Sequence, residues 1–129
     1  MIGYFSHIEE EVSNNDNFRK VLYTGKHAQL VAMSLLPGEE IGMEVHDTVD
    51  QFFRFESGEG KAVLNGEETI FKADDVIIIP AGTNHNIINT SATDKLKLYT
   101  LYSPANHPEG TVHATKAEAM AAEEAEHGM

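Results

Sequence analysis

The sequence predicts an all-β protein built as a single closed barrel with a short C-terminal helix. Three observations point there: short extended runs at even spacing, turn residues between them, and no helical periodicity until roughly the last fifteen residues. The runs are Lys20–Tyr23, Ala28–Leu36, Ile41–His46, Gln51–Glu56, Lys61–Leu64, Glu67–Phe71, Val76–Ile79, His85–Asn89 and Leu96–Tyr102. Between them stand Leu36-Pro37-Gly38, Ser57-Gly58-Glu59-Gly60, Asn65-Gly66, Pro80-Ala81-Gly82 and Asn89-Thr90-Ser91, all of them turn chemistries. Asn65-Gly66 is the strongest local signal, because two such residues between extended runs supply the positive φ angles of a type I′ hairpin. Lys61–Leu64 and Glu67–Phe71 are therefore expected to pair antiparallel. Closing many short strands into a barrel or sandwich also removes open edges. The chain divides into an N-terminal segment at 1–17, a barrel at 18–104 and a C-terminal loop and helix at 105–129. In that last part Thr115-Lys116-Ala117-Glu118 reads as a capping box ahead of an Ala- and Glu-rich helix, Ala117–Glu126. The helix has little apolar surface to bury, so it reads either as a solvated tail or as a contact for a partner subunit.

The length of 129 residues suits one domain with one core. Nine basic against 21 acidic residues leave a formal charge of −12. That charge repels phosphate backbones and anionic lipid, so neither nucleic acid nor membrane is an expected partner. The chain has no cysteine, which excludes disulfides, thiolate nucleophiles and Cys-based zinc sites. Any metal must be held by His, carboxylate or amide groups. The first residues, Met1 to Glu11, lack a basic region followed by an apolar run, so a cytoplasmic location is expected.

Two segments carry the chemistry. One runs from Gly38 through Glu44, His46 and Gln51 to Gly58, the other from Asp74 through Pro80, Gly82 and His85 to Asn89. Together they resemble the two motifs of the cupin superfamily, Gly-x5-His-x-His-x4-Glu-x6-Gly and Gly-x5-Pro-x-Gly-x2-His-x3-Asn. Gly38, His46, Gly58, Pro80, Gly82, His85 and Asn89 match, with every spacing kept. Glu44 stands where the family's first His is usual, Gln51 where its Glu is usual, and Asp74 where a Gly is usual. The resemblance spans residues 38–89 and implies a jelly-roll-like double-stranded β-helix around one metal ion. It implies no single reaction, since cupins include dioxygenases, decarboxylases, sugar isomerases, storage proteins and sensors.

The residues support the site on their own terms. Alternation along a strand turns Glu44 and His46 to one face and Met43 and Val45 to the other. Gln51 opens the next strand, and its parity puts Phe53 and Phe55 on the same face, where the two rings are expected to line the pocket floor. His85 arrives from a later strand after the Pro80-Ala81-Gly82 turn, and closure of the sheet brings it opposite the first pair. Two imidazoles and a carboxylate form the facial set of non-heme iron sites, with positions left open. The expected metal ligands are thus Glu44, His46 and His85. Gln51 is either a fourth ligand or a hydrogen-bonding group for the substrate. A carboxylate in place of an imidazole makes the site harder, which favours Fe(II) or Mn(II), while Zn(II) also accepts this set. His7, His27, His107, His113 and His127 are expected at the surface, and Asp47 and Asp50 in turns.

Val76–Ile79 is apolar on both faces, and Phe52 sits on the outward parity of its own strand. One face fills the barrel, and the other is expected to meet a second copy in a homodimer. The expected function is that of a metal-dependent cupin enzyme, an oxygenase, isomerase or decarboxylase acting on a small polar molecule. The alternative is a barrel that binds or senses a sugar or small acid without turnover.

Overall fold

The computed structural model describes residues 2–126, with side chains described as far as Glu124. Its elements in chain order are α1 (Ile8–Ser13), β1 (Arg19–Thr24), β2 (Gln29–Leu35), β3 (Asp50–Ser57), β4 (Glu59–Leu64), β5 (Glu67–Lys72), β6 (Val76–Ile79), β7 (His85–Asn89), β8 (Leu96–Ser103), β9 (Val112–His113) and α2 (Lys116–Glu126). The strands form two antiparallel sheets. One has the order β6-β3-β8-β2-β1-β9 and the other β5-β4-β7. Their inner faces enclose one apolar core that includes Val31, Met33, Leu35, Phe53, Phe55, Phe71, Ile79, Ile87, Leu96 and Leu98. Alternation is cleanest in β3, where Gln51, Phe53 and Phe55 are buried and Phe52, Arg54 and Glu56 half-buried. Among the described residues no helix is long and apolar enough to cross a membrane.

Local chemistry explains the turns. Asn65 (φ 49°) and Gly66 (φ 84°) make the left-handed pair expected of them, and Leu64 faces Glu67 across the hairpin. Gly58 has φ 99°, and a Cβ there would come within 2.9 Å of the Lys95 carbonyl oxygen, so the strand junction admits only glycine. Asp74, which replaces the cupin motif's glycine, keeps the left-handed backbone at φ 76°. Its carboxylate accepts a hydrogen bond from Arg54 Nη2 at 2.8 Å, which helps hold a conformation that Asp tolerates better than most side chains. Asn89 is a stitch: its Nδ2 donates to the carbonyls of Leu35, Leu36 and Asp94, and its Oδ1 accepts from the Ser91 amide.

Four features differ from the sequence-based expectation. Residues 41–46 form no strand; they meet β7 at the Ile41 N–H, which donates to the Ile87 carbonyl at 2.9 Å, and at an isolated bridge between Glu44 and His85. Gly42, with φ 111°, leaves the extended region, and its N–H goes to the Asn86 side chain at 2.9 Å instead of to a ladder partner. The helix α1 was not anticipated, because its six residues are too few to show a period. The two-residue β9 pairs with β1 and so extends the larger sheet beyond residue 104. Finally, α2 is neither a free tail nor left for a partner alone: Ala119, 1% exposed, packs into the core of its own chain. Its start is as read, with the Glu118 N–H donating to Thr115 Oγ1 at 3.2 Å.

Candidate metal centre

Glu44 and His85 are joined backbone to backbone. Each N–H donates to the other's carbonyl at 2.9 Å, which fixes the two Cα positions against each other at the β7 edge of the smaller sheet. Although 41–46 is not a strand, side chains still alternate there: Met43 and Val45 are exposed, Glu44 and His46 half-buried. The result is a cluster in which Glu44, His46 and His85 offer ligand atoms all within 4.8 Å of one another. Glu44 Oε1 lies 3.6 Å from His46 Nε2 and 3.9 Å from His85 Nε2.

The donor set fits a metal ion. His85 Nδ1 is 2.9 Å from the Thr83 carbonyl oxygen. A carbonyl can only accept, so the ring donates there and its neutral tautomer leaves a lone pair on Nε2. Nε2 of His46 and of His85 are both buried without a hydrogen-bond partner among the described residues. Ligand atoms around an ion with bonds near 2.1 Å stand about 3 to 3.5 Å apart, so side-chain shifts on the order of 1 Å close the set. Burial opposes ionisation of Glu44, but the electrostatic pull of the neighbouring His46, His85 and Arg19 outweighs it and holds the carboxyl below its ordinary value.

Gln51 is buried on β3 of the larger sheet. Its Nε2 donates to Thr100 Oγ1 at 3.0 Å, and its Oε1 has no hydrogen-bond partner among the described residues. Gln51 faces Tyr102 in the β3–β8 register, while Phe53 faces Thr100 and Phe55 faces Leu98. The two phenylalanines therefore lie about 7 and 13 Å further along the strand. Phe53 and Phe55 are fully buried in the core, with Phe55 stacked on Phe71 at 3.6 Å between centroids.

The cluster opens into a cavity of about 370 Å³ walled by Met43, Glu44, Val45, His46, Asn106, His107 and Glu123. A larger hollow of about 620 Å³ lies along α1 at the surface, by His7, Glu9 and Glu10. His107 and His113 depart from expectation. His107 is half-buried, with Nε2 3.2 Å from the Tyr102 hydroxyl, and burial lowers its pKa to about 3. His113 is half-buried with Nδ1 unpartnered. His7 and His27 are exposed as expected, and His127 lies outside the described residues. Burial also pushes the Tyr102 phenol far up, with the Glu44 charge adding to the effect. Sequence reading gave no signal for His107, which sits in a loop. Arg19 carried one, since it shares the inward parity of Val21 on β1.

The family model described as "Cupin domain" matches residues 31–102. The chain belongs to the cupin family. Among solved cupin-fold structures, that of BH2720 from Bacillus halodurans is 44% identical, with a TM-score of 0.89 over 92% of this chain and 93% of that one. A structure from Thermotoga maritima, described as a predicted oxalate decarboxylase, is 28% identical with a TM-score of 0.58 over 62% of this cupin and 69% of its own chain. The uncharacterized protein YrkC of Bacillus subtilis (strain 168) is 50% identical over 124 residues, and this cupin spans 66% of its length.

Proposed function

We propose that this cupin holds one divalent metal ion, Fe(II) or Mn(II) ahead of Zn(II), on Glu44, His46 and His85, and is an enzyme acting on a small polar molecule in the adjoining cavity. The observation that carries this reading is the pair of buried, unpartnered imidazole nitrogens of His46 and His85 converging with Glu44, beside a cavity that Glu44 and His46 help to wall. An ion in such a site supplies Lewis acidity toward a carbonyl or enolate oxygen, or a centre for dioxygen chemistry. The chain's part is to orient. Thr83 fixes the His85 ring through its carbonyl, and the Arg19 charge favours the ionised form of Glu44. Thr100 anchors the Gln51 amide, whose free oxygen hydrogen-bonds the bound molecule. The likeness to the Thermotoga maritima structure supports enzyme chemistry of the decarboxylase kind.

The test is elemental analysis of protein purified without chelator, followed by melting with added Mn(II), Fe(II) or Zn(II). One ion per chain is the expected content, and free metal at about 100 times its Kd adds about 2.7 kcal/mol of stability. A content near zero with no gain in stability overturns the proposal.

The same cupin is proposed to form a homodimer through the outer face of its larger sheet. Ile78, Phe52, Leu101 and Leu30 stand side by side in register across β6, β3, β8 and β2, and Ile78 is 66% exposed. Such a row is costly to leave in water. Ile78→Glu is expected to halve the mass seen by light scattering; an unchanged mass contradicts this interface.

A further inference from the structure

Next to the cavity, behind its wall residue Glu123, β1 of the larger sheet buries a cation. Arg19 shares its inward parity with Val21, faces Met33 and His113 in the register of β1, and is 2% exposed. A buried guanidinium normally spends its five donors on carboxylates or carbonyls, because an unmatched buried charge is costly. Here Nε and Nη1 are both buried without a hydrogen-bond partner among the described residues. The Phe18 ring covers one side at 5.4 Å from Cζ, a contact that uses no donor. The neighbouring carboxylate is that of Glu123 on α2, with Oε1 3.7 Å from Nη1, too far for a hydrogen bond.

This cation stands one residue behind the cavity wall. Glu123 is one of the residues walling the cavity, together with Glu44 and His46. The Arg19 charge also bears on Glu44 and His107, which wall the same cavity. An arginine with a structural duty would have its fork filled by fixed partners. This one has two nitrogens, three N–H donors in all, in reserve and a loosely held anion on a helix docked from outside. The guanidinium fork matches the two oxygens of a carboxylate. A divalent ion together with Arg19 would outweigh Glu44 and Glu123 by one positive charge, which a carboxylate monoanion neutralises.

We propose that Arg19 is the anion anchor of this cavity, that the molecule bound there carries a carboxylate, and that Glu123 occupies the anchor until that carboxylate replaces it. The inference deepens the metal-site reading and rests on it for the position of the reacting end of the ligand. It makes α2 a competitor that a carboxylate ligand displaces. A neutral sugar gains nothing from Arg19 and does not move Glu123.

The test is calorimetric titration of the full chain, with and without added Mn(II), using malonate and benzoate as probes and malonamide, benzamide and inorganic phosphate as controls. The carboxylates should bind and the amides should not. Glu123→Gln should tighten carboxylate binding several-fold, and Arg19→Gln should weaken it by about tenfold or more with metal content unchanged. Arg19→Lys should fall between, since a lysine keeps the charge and loses the fork. Equal affinity for acids and amides, preference for phosphate, or equal affinity of Arg19→Gln and the unaltered chain overturns the proposal. Should Arg19→Gln fail to fold, Glu123→Gln decides: absence of tightening overturns it. Metal content measured on the same samples keeps the two readings apart, because Arg19-dependent carboxylate binding in a chain that takes no metal sinks only the metal site.

Discussion

The two sides of the cavity are held in opposite ways. On one, Glu44, His46 and His85 are fixed by short-range geometry: reciprocal backbone hydrogen bonds, an imidazole pinned to the Thr83 carbonyl, and i,i+2 alternation. On the other, Arg19 is buried with donors to spare, and its counter-charge sits on a helix docked through Ala119. The first side is preorganised for a fixed guest such as a metal ion. The second is held loosely enough for a charged group to exchange. The difference separates a group that orients from a group that yields, and variants on each side should fail differently.

The largest expected effect is on the rigid side. His85→Ala should abolish metal binding while leaving far-ultraviolet dichroism and cooperative melting in place, because the strand partners of β7 remain. A variant that keeps stoichiometric metal would remove the rigid side from the account.

Acid should blur the contrast next. His107 is held neutral by burial, with a pKa of about 3 against 6.5 in the unfolded chain. The unfolded chain then binds a proton that the folded one refuses, so this contribution leaves stability unaffected above about pH 6.5. Below it, stability falls by up to about 1.4 kcal/mol per pH unit. Glu44 acts in the same direction lower down, since its depressed pKa gives stability that is present above 4.5 and lost as the pH falls through the folded value. Chemical denaturation of the metal-free chain between pH 7 and 5 should show the fall, and His107→Asn should flatten it. An unaltered slope in that variant would assign the acid sensitivity elsewhere.

The smallest effect concerns the docked helix. Thr115→Ala removes the side chain that caps α2 and should cost about 1 kcal/mol of helix stability. Hydrogen exchange should quicken in α2 and stay unchanged in β3 and β7. Uniform quickening would mean that α2 is continuous with the barrel core and not a separately yielding part.

The same contrast explains what could be read from the residues. The hairpin at Asn65-Gly66, the run Val76–Ile79 and the run His85–Asn89 depend on local chemistry and match the observed elements. The Glu44–His46 pair survived the loss of its strand because alternation needs only extended backbone, and Gly42 redirects one N–H without reversing the facing of its neighbours. His85 could be joined to that pair through motif spacing. Nothing comparable links Arg19 to Glu123, which lie 104 positions apart in the sequence and meet only because α2 folds back. The burial of His107 is likewise set by its surroundings, chiefly Tyr102 and the cavity wall, and not by its neighbours in the chain. Residues that line a cavity from a loop or a returning helix carry no period of their own.

The most direct measurement is a titration of the chelator-treated chain with Mn(II), followed by the paramagnetic resonance signal of the free ion. The first equivalent per chain should be silent, and His46→Ala and Glu44→Ala should restore the signal from the first addition. A free-ion signal that rises in proportion from the start in the unaltered chain would contradict a metal site at these residues.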